Sequence, residues 1–229
     1  MSMMDFVEEQ GVSIIANGTF NPAIFHPAWF RRHGLLSEEE EETAKIDMVH
    51  PEISQFQVPG LQFDIQTERI LLQAAAEPLV RAADIFSSLF ADLLPHTPIK
   101  SVGINYWSHF RLSSWSQRQN FGRALAPIEP WGEFGQLMDS KDKNMAGGFS
   151  TLSFKAAYPA NGDLGSVNVS MQPSVKIEND SGVFMNVNHH FSDSGKSVHY
   201  PNMISEKFDD VIKYSRRIIS HMISVGRES

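Results

Sequence analysis

The chain has no cysteine among its 229 residues. Disulfide bonds, thiolate metal sites and cysteine nucleophiles are therefore all excluded. The sequence also has no run of about 18 apolar residues, the length that a membrane-spanning helix requires. Its first residues, MSMMDFVEEQGV, lack the basic segment followed by an apolar one that is typical of a secretory signal. These absences predict a cytoplasmic protein that does not cross a membrane.

Common catalytic motifs are missing as well. The sequence contains no GxSxG elbow, no GxxxxGK[ST] phosphate loop, no GxGxxG and no HExxH zinc motif. This pattern favours a protein without a cofactor, without a bound metal and without a recognised catalytic machinery.

Positive charge is scarce in the first quarter of the chain. Residues 1–60 carry ten acids and three bases, whereas residues 61–229 carry seventeen acids and sixteen bases. Duplex nucleic acid is therefore not an expected partner, because its binding needs clustered Lys and Arg. Much of the asymmetry comes from the run SEEEEE over 37–42, which is either a solvated loop or first helical turn after Ser37 or a docking site for a basic partner.

Apolar periodicity outlines the secondary structure. Runs rich in β-branched and aromatic residues predict strands over 12–20, 44–56, 61–66, 69–75, 99–112, 148–158, 164–172 and 183–191. Apolar residues at three-to-four spacing predict two long helices, over 79–94 and 205–224. Shorter helices are expected between Pro27 and Gly34 and after Ser114. The dipeptide Asn161-Gly162 suits a tight hairpin turn.

The order of these elements predicts an α+β protein of two similar halves. Residues 1–98 and 99–229 each read as strand, short helix, three strands and long helix, and the second half carries an insertion over 126–147. Such halves would share one continuous antiparallel sheet with both long helices on one face, similar to the saddle of TATA-box-binding-like folds. A helix-grip domain of the START type, with one long helix, is the alternative.

The sheet face opposite the helices is the expected binding surface, because successive strand residues point to opposite faces. Six residues on that face are the candidate binding residues: Asn105, Trp107, His109, Arg111, Asn188 and His190. The same alternation adds further polar residues: Asn17, Thr19, Asn168, Ser170, Gln172 and Asn186. Amides combined with a tryptophan and an arginine are common in recognition surfaces, although a merely solvated sheet face would look similar.

The adjacent histidines in VFMNVNHHFSD illustrate the alternation. His189 shares the apolar side with Val187 and is expected to be a core histidine satisfied by a hydrogen bond, whereas His190 points to the polar side. The two rings cannot hold one ion together. A metal site would need His190 with His109 or Asp193, and none is predicted.

Three functions are compatible with these features. The leading hypothesis is a non-catalytic binding or adaptor protein that uses the polar face and the 126–147 connection, with a protein partner or self-association. The second is an enzyme acting on a small anionic substrate through His190, His109 and Arg111. Arg118 and Arg123, together with Arg111, are expected to form a small anion-binding patch that fits this hypothesis, although ion pairs with the acidic N-terminal part explain them equally well. The third is a single-strand nucleic-acid binder that stacks bases on Trp107.

Three segments of the chain show a resemblance to a known group of proteins. The segment TERILLQAAAEPLVRAADIFSSLFADLLPHTPIKSVGINYWSHFRL, with Arg69, Gly103 and Tyr106, resembles a sporadically distributed family of uncharacterised bacterial proteins, as do GVFMNVNHHF and the terminal helix. The chain has Asn105 where a basic residue is expected from that pattern. No established activity comes with the resemblance, so it supplies no catalytic residue. Its patchy distribution implies a mobile-element or phage-defence setting.

Overall fold

A computed structural model describes residues 3–140, 142, 147–157, 165–192 and 199–229. Nine antiparallel strands form one open sheet in the order β2-β3-β4-β5-β1-β6-β9-β8-β7. The strands are β1 Val7–Gly18, β2 Lys45–His50, β3 Ile53–Val58, β4 Leu61–Gln66, β5 Arg69–Ala74, β6 Ile99–Arg111, β7 Leu152–Ala157, β8 Gly165–Pro173 and β9 Gly182–Ser192. The predicted α+β class is confirmed, and the architecture is consistent with a saddle. The predicted turn at 161–162 lies outside the described residues.

Helices connect and cover the strands. They are α1 Pro27–Arg32, α2 Glu38–Glu42, α3 Arg81–Ser87, α4 Trp115–Leu125, α5 Gly132–Met138 and α6 Tyr200–Glu228. A π-helical turn, Ser88–Leu93, continues α3. Across the part of the chain that the structure describes, no helix combines the length and the apolar character needed to cross a membrane.

The two halves of the chain meet where β1 pairs with β6. Val12 lies opposite Tyr106, Ile14 opposite Ile104 and Ala16 opposite Val102 in this central pairing. Strands β5, β4, β3 and β2 extend the sheet outward from β1, and β9, β8 and β7 extend it from β6. The sheet is therefore continuous from one half into the other.

Both long helices cover the same face of this sheet. Helix α3 packs against β1, β5 and α6, and α6 packs against β6 and β9. The side chains between the layers are almost fully buried, and they include Ile14, Ile70, Phe86, Ile104, Met185, Val187, Ile204, Ile219 and Ile223. Burial of each such side chain contributes roughly 1.5–3 kcal/mol. The helix-grip alternative does not fit, because two long helices lie side by side.

Aromatic packing closes the outer part of the first half. The Phe30 ring of α1 lies 5.5 Å from the ring of Phe56 and 4.8 Å from that of Phe63, measured between centroids. The rings of Phe56 and Phe63 stack at 4.4 Å across β3 and β4. Helix α1 thus shields the same sheet face as α3 and α6.

The predicted strand over 44–56 is in fact two strands. Strand β2 ends at His50, and a turn at Pro51 and Glu52 reverses the chain into β3. Proline cannot donate to the ladder and fits a turn. The first half therefore has one strand more than the predicted pattern.

The acidic run forms a capped helix and contacts basic residues of the same chain. Ser37 and Glu40 make a reciprocal capping box at the start of α2. Glu40 also receives two hydrogen bonds from Arg81, at 2.5 and 2.8 Å, and the Arg81 hydrogen bond lowers the pKa of Glu40 to about 2. Arg31 pairs with Glu38 and Glu41. The helical interpretation of the run is confirmed.

The adjacent histidines point to opposite faces, as predicted. His189 faces α6 with none of its surface exposed, and its Nε2 lies 3.0 Å from the hydroxyl of Ser215. Burial lowers the pKa of His189 from 6.5 to about 4. His190, on the other face, lies between Gly103 and Ser166.

The buried imidazole makes stability depend on pH. Below pH 6.5 the unfolded chain is protonated at His189, whereas the folded chain is not protonated there until the pH falls to about 4. The free energy of unfolding therefore falls by about 3 kcal/mol as the pH is lowered through this window. We expect His189→Gln, whose amide can still bond to Ser215, to remove this part of the pH dependence in urea unfolding at pH 7.0 and 4.5. His190→Gln is the matched control, because it removes one histidine without touching the core. An equal loss in wild type and His189→Gln would contradict this assignment.

Candidate binding face

The sheet face opposite the helices, here called the open face, carries one continuous line of polar side chains. The strand registers align one residue from each strand across the whole sheet. In spatial order this amide row consists of Lys45, Gln57, Gln62, Gln73, Ser13, Asn105, Asn188, Asn168 and Lys155. At about 4.8 Å between strands, the row is roughly 38 Å long.

The centre of the amide row is ordered by its own hydrogen bonds. The Asn105 Oδ1 accepts from Asn188 Nδ2 at 2.6 Å and from Asn186 Nδ2 at 3.5 Å, while Asn105 Nδ2 donates to the Ser13 carbonyl at 3.4 Å. Asn105 is only 5% exposed. Asn105 therefore acts as the support that orients Asn188, whose side chain is half-buried.

The outer parts of the row are more accessible. Gln57 and Gln62 are exposed, and Gln73 and Asn168 are half-buried. Each uncharged amide offers both donor and acceptor groups. The row is thus a fixed centre between two accessible wings, each of which ends in an exposed lysine, Lys45 or Lys155.

Trp107 lies beside the row and crosses the neighbouring strand. A Cβ atom on Gly11 would come within 2.4 Å of the Trp107 ring and 2.7 Å of the Ala74 carbonyl. Only a glycine at position 11 therefore leaves room for the Trp107 ring in this position. On the same side, the Lys176 ammonium lies 5.8 Å from the ring centroid and forms an ion pair with Glu9.

The structure places His109 beneath a loop. The β8–β9 loop, residues 174–181, folds over it, and the His109 Nδ1 lies 2.8 Å from the Ser174 hydroxyl. Only 6% of His109 is exposed, and this burial, with the charge of Lys176, lowers its pKa. His109 therefore contacts the 174–181 loop and is not an accessible binding residue.

Arg111 and His190 lie far apart on the open face. Arg111 forms an ion pair with Glu8 at 2.5 Å. His190 is opposite Gly103, six residues before His109 on β6, which corresponds to roughly 20 Å along the strand. His190, His109 and Arg111 do not share one pocket, so the geometry does not support the proposed enzyme alternative.

The described residues lack a cluster of potential metal ligands, and two arginines of the predicted anion patch are paired with carboxylates. The described part of the chain contains no group of three or more histidine, aspartate or glutamate side chains placed to hold an ion. Asp193, a candidate ligand, lies outside the described residues. Arg111 and Arg123 are each paired with a carboxylate, Glu8 and Asp139 respectively, which neutralises two of the three arginines of the predicted anion patch.

The described part of the 126–147 connection lies on the helix side of the molecule. This part includes α5, and Arg123 of α4 bonds to the Met138 carbonyl and to Asp139. A cavity of about 370 Å³ lies between α4, α5 and residues 147–152. Because α4 packs against α6, this connection does not extend the amide row.

The glutamine half of the amide row was not among the residues predicted from the sequence. Gln55 and Gln57 alternate with Phe56 in ISQFQV, and Gln62 alternates with Phe63 in LQFDIQ. This period of two was sufficient to place the glutamines opposite the core. Only the order of the strands shows that they line up with the asparagines of the second half.

Comparison of the chain with protein-family models and with curated proteins gives no match. The geometry of the open face is therefore the main indication of function.

The contact between Gly11 and Trp107 can be tested by mutation. Gly11→Ala forces a Cβ against both an indole ring and a backbone carbonyl, and we expect a loss of about 1–3 kcal/mol in urea unfolding. Gly103→Ala is the matched control on the next strand, since its Cβ would meet nothing closer than 3.4 Å. We expect it to change stability by no more than about 1 kcal/mol. Equal effects of the two substitutions would refute the placement of the ring.

Proposed function

We propose that this chain is a non-catalytic binding or adaptor protein that recognises a protein partner through the open face. The observation that supports this most strongly is the amide row, which crosses all nine strands. Helices α1, α3 and α6 cover the inner strands on the other face. A polar line of this length is matched to a protein surface rather than to a small molecule.

The chemistry of the row favours a partner with hydrogen-bonding groups and little net charge. Protein interfaces contain about one hydrogen bond per 100–200 Å², and the accessible amides Gln57, Gln62 and Asn168 supply donors and acceptors of that kind. The fixed centre at Asn105 reduces the side-chain entropy lost on binding. Self-association through the same face is the other form of this proposal.

The surroundings of Trp107 argue against nucleic acid. Glu8, Glu9 and Glu77 line the cleft beside the ring. Carboxylates at a base-stacking platform would repel the phosphate backbone, whereas single-strand binders use a positively charged groove. We therefore prefer a protein partner.

The resemblance of the chain to a sporadically distributed bacterial family leads us to extend the proposal to the bacterial cytosol. A defence or mobile-element system is the corresponding biological setting.

Site-specific photo-crosslinking in the native cell tests the proposal. A photoreactive phenylalanine analogue at Gln62 or Gln73 should capture the same protein, identified by mass spectrometry, whereas the analogue at exposed Lys213 on α6 should not. Adding Asn168→Arg, on another strand of the row, should reduce the capture at least about tenfold, because it places an unmatched charge in the interface. A product twice the mass of the chain would identify self-association. Equal capture from both faces would contradict the proposal.

A further inference from the structure

A cleft beside Trp107 has the chemistry of a cation site. Its volume is about 490 Å³, and its lining includes Trp107, Gln10 and the carboxylates of Glu8, Glu9 and Glu77. No lysine, arginine or histidine belongs to that lining. An aromatic wall surrounded by acids is the arrangement that attracts organic cations through the face of the ring and through charge.

The cleft arises from unequal strand lengths. Strand β5 ends at Ala74, opposite Val12, whereas β1 pairs with β6 as far as Val7. After Ala74 the chain turns away towards α3, which leaves a gap in the sheet beside the first residues of β1. Gly11 allows the Trp107 ring to reach across β1 towards this gap.

Each carboxylate of the cleft is paired with a cation that lies outside the lining. Arg111 pairs with Glu8 at 2.5 Å, Arg216 pairs with Glu77 at 3.1 Å, and Lys176 pairs with Glu9. These pairs are all partly exposed, so solvent weakens them and an incoming cation can compete with them.

Among these three cations, Lys176 is the one whose charged group lies over the Trp107 ring. Arg216 is also bonded to the hydroxyl of Tyr106 at 3.2 Å. The Lys176 side chain is 50% exposed and extends from the 174–181 loop, next to Val175, which is 96% exposed. Its ammonium already lies near the Trp107 ring and contacts Glu9, so the ring and this carboxylate interact with an ammonium group of the chain itself.

We propose that the cleft binds the ammonium or guanidinium group of a lysine or arginine side chain of the protein partner, and that Lys176 is an internal competitor which this group displaces. The inference rests on the proposed function and specifies the chemistry of the partner: a basic side chain placed beside a polar, hydrogen-bonding surface. Trp107 supplies the face of its ring, and Glu9 supplies the counter-charge.

The experiment uses small probes with a single cation. N-acetyl-arginine amide and N-acetyl-lysine amide are titrated into the full chain carrying fluorotryptophan, at about 0.15 M salt to screen surface charge. The Trp107 fluorine signal is assigned from Trp107→Phe. A saturable shift of that signal is expected with both probes and none with N-acetyl-glutamine amide.

Variants separate the internal competitor from general electrostatics. Lys176→Ala and Lys176→Gln should each lower the dissociation constant at least about threefold, because the Lys176 ammonium no longer competes for Glu9 and the Trp107 ring. Lys213→Ala makes the same charge change on α6 and should alter it less than about twofold. Glu9→Gln should weaken binding.

A response without saturation, an equal response to N-acetyl-glutamine amide, or equal effects of the substitutions at Lys176 and Lys213 would each overturn the inference. Crosslinking from Gln62 and Gln73 does not involve the cleft. Capture of a partner there without a cation response at Trp107 would leave the proposed function intact and remove only the cation site. A cation response without capture would contradict the proposed protein partner but would still support a cation site at Trp107.

Discussion

The pairing of β1 with β6 is the constraint on which the rest of the structure depends. It sets which side of the sheet receives the apolar side chains of both halves, since successive strand residues point in opposite directions. A slip of one residue would turn Val12, Ile14 and Ala16 to the open face. The residues opposite them, Tyr106, Ile104 and Val102, are fully buried, so the core strongly specifies this register.

The same register produces the amide row. Ser13 and Asn105 lie opposite each other at the centre. Each of the seven remaining strands adds one polar residue at the matching position. Hydrogen bonds order the centre, and solvent reaches the wings. The gap left by the short β5 then places Trp107 and three carboxylates beside the row. The binding surface and the cation cleft are thus both consequences of how the strands align.

Much of this could be read from the sequence because it depends on local periodicity. Strands β4 and β5 begin at the predicted residues 61 and 69, and the divergence of His189 and His190 follows from a period of two. Strand order is non-local, and the alignment of Gln62 with Asn188 could not be derived from either segment alone. The burial of His109 had no local signal either, because it depends on Ser174, 65 residues further along the chain.

The proposed binding surface requires that the wings of the amide row are open to solvent while alternate residues of the inner strands are enclosed by helices. The chain has no cysteine, so single cysteines can be introduced at Gln57, Gln62 and Asn168 and, as enclosed counterparts, at Phe63 and Val187. Their reaction rates with a water-soluble maleimide under native conditions measure accessibility directly. We expect fast labelling at the three polar positions and, at the other two, labelling only on unfolding. Protection at the polar positions equal to that of the core would contradict it.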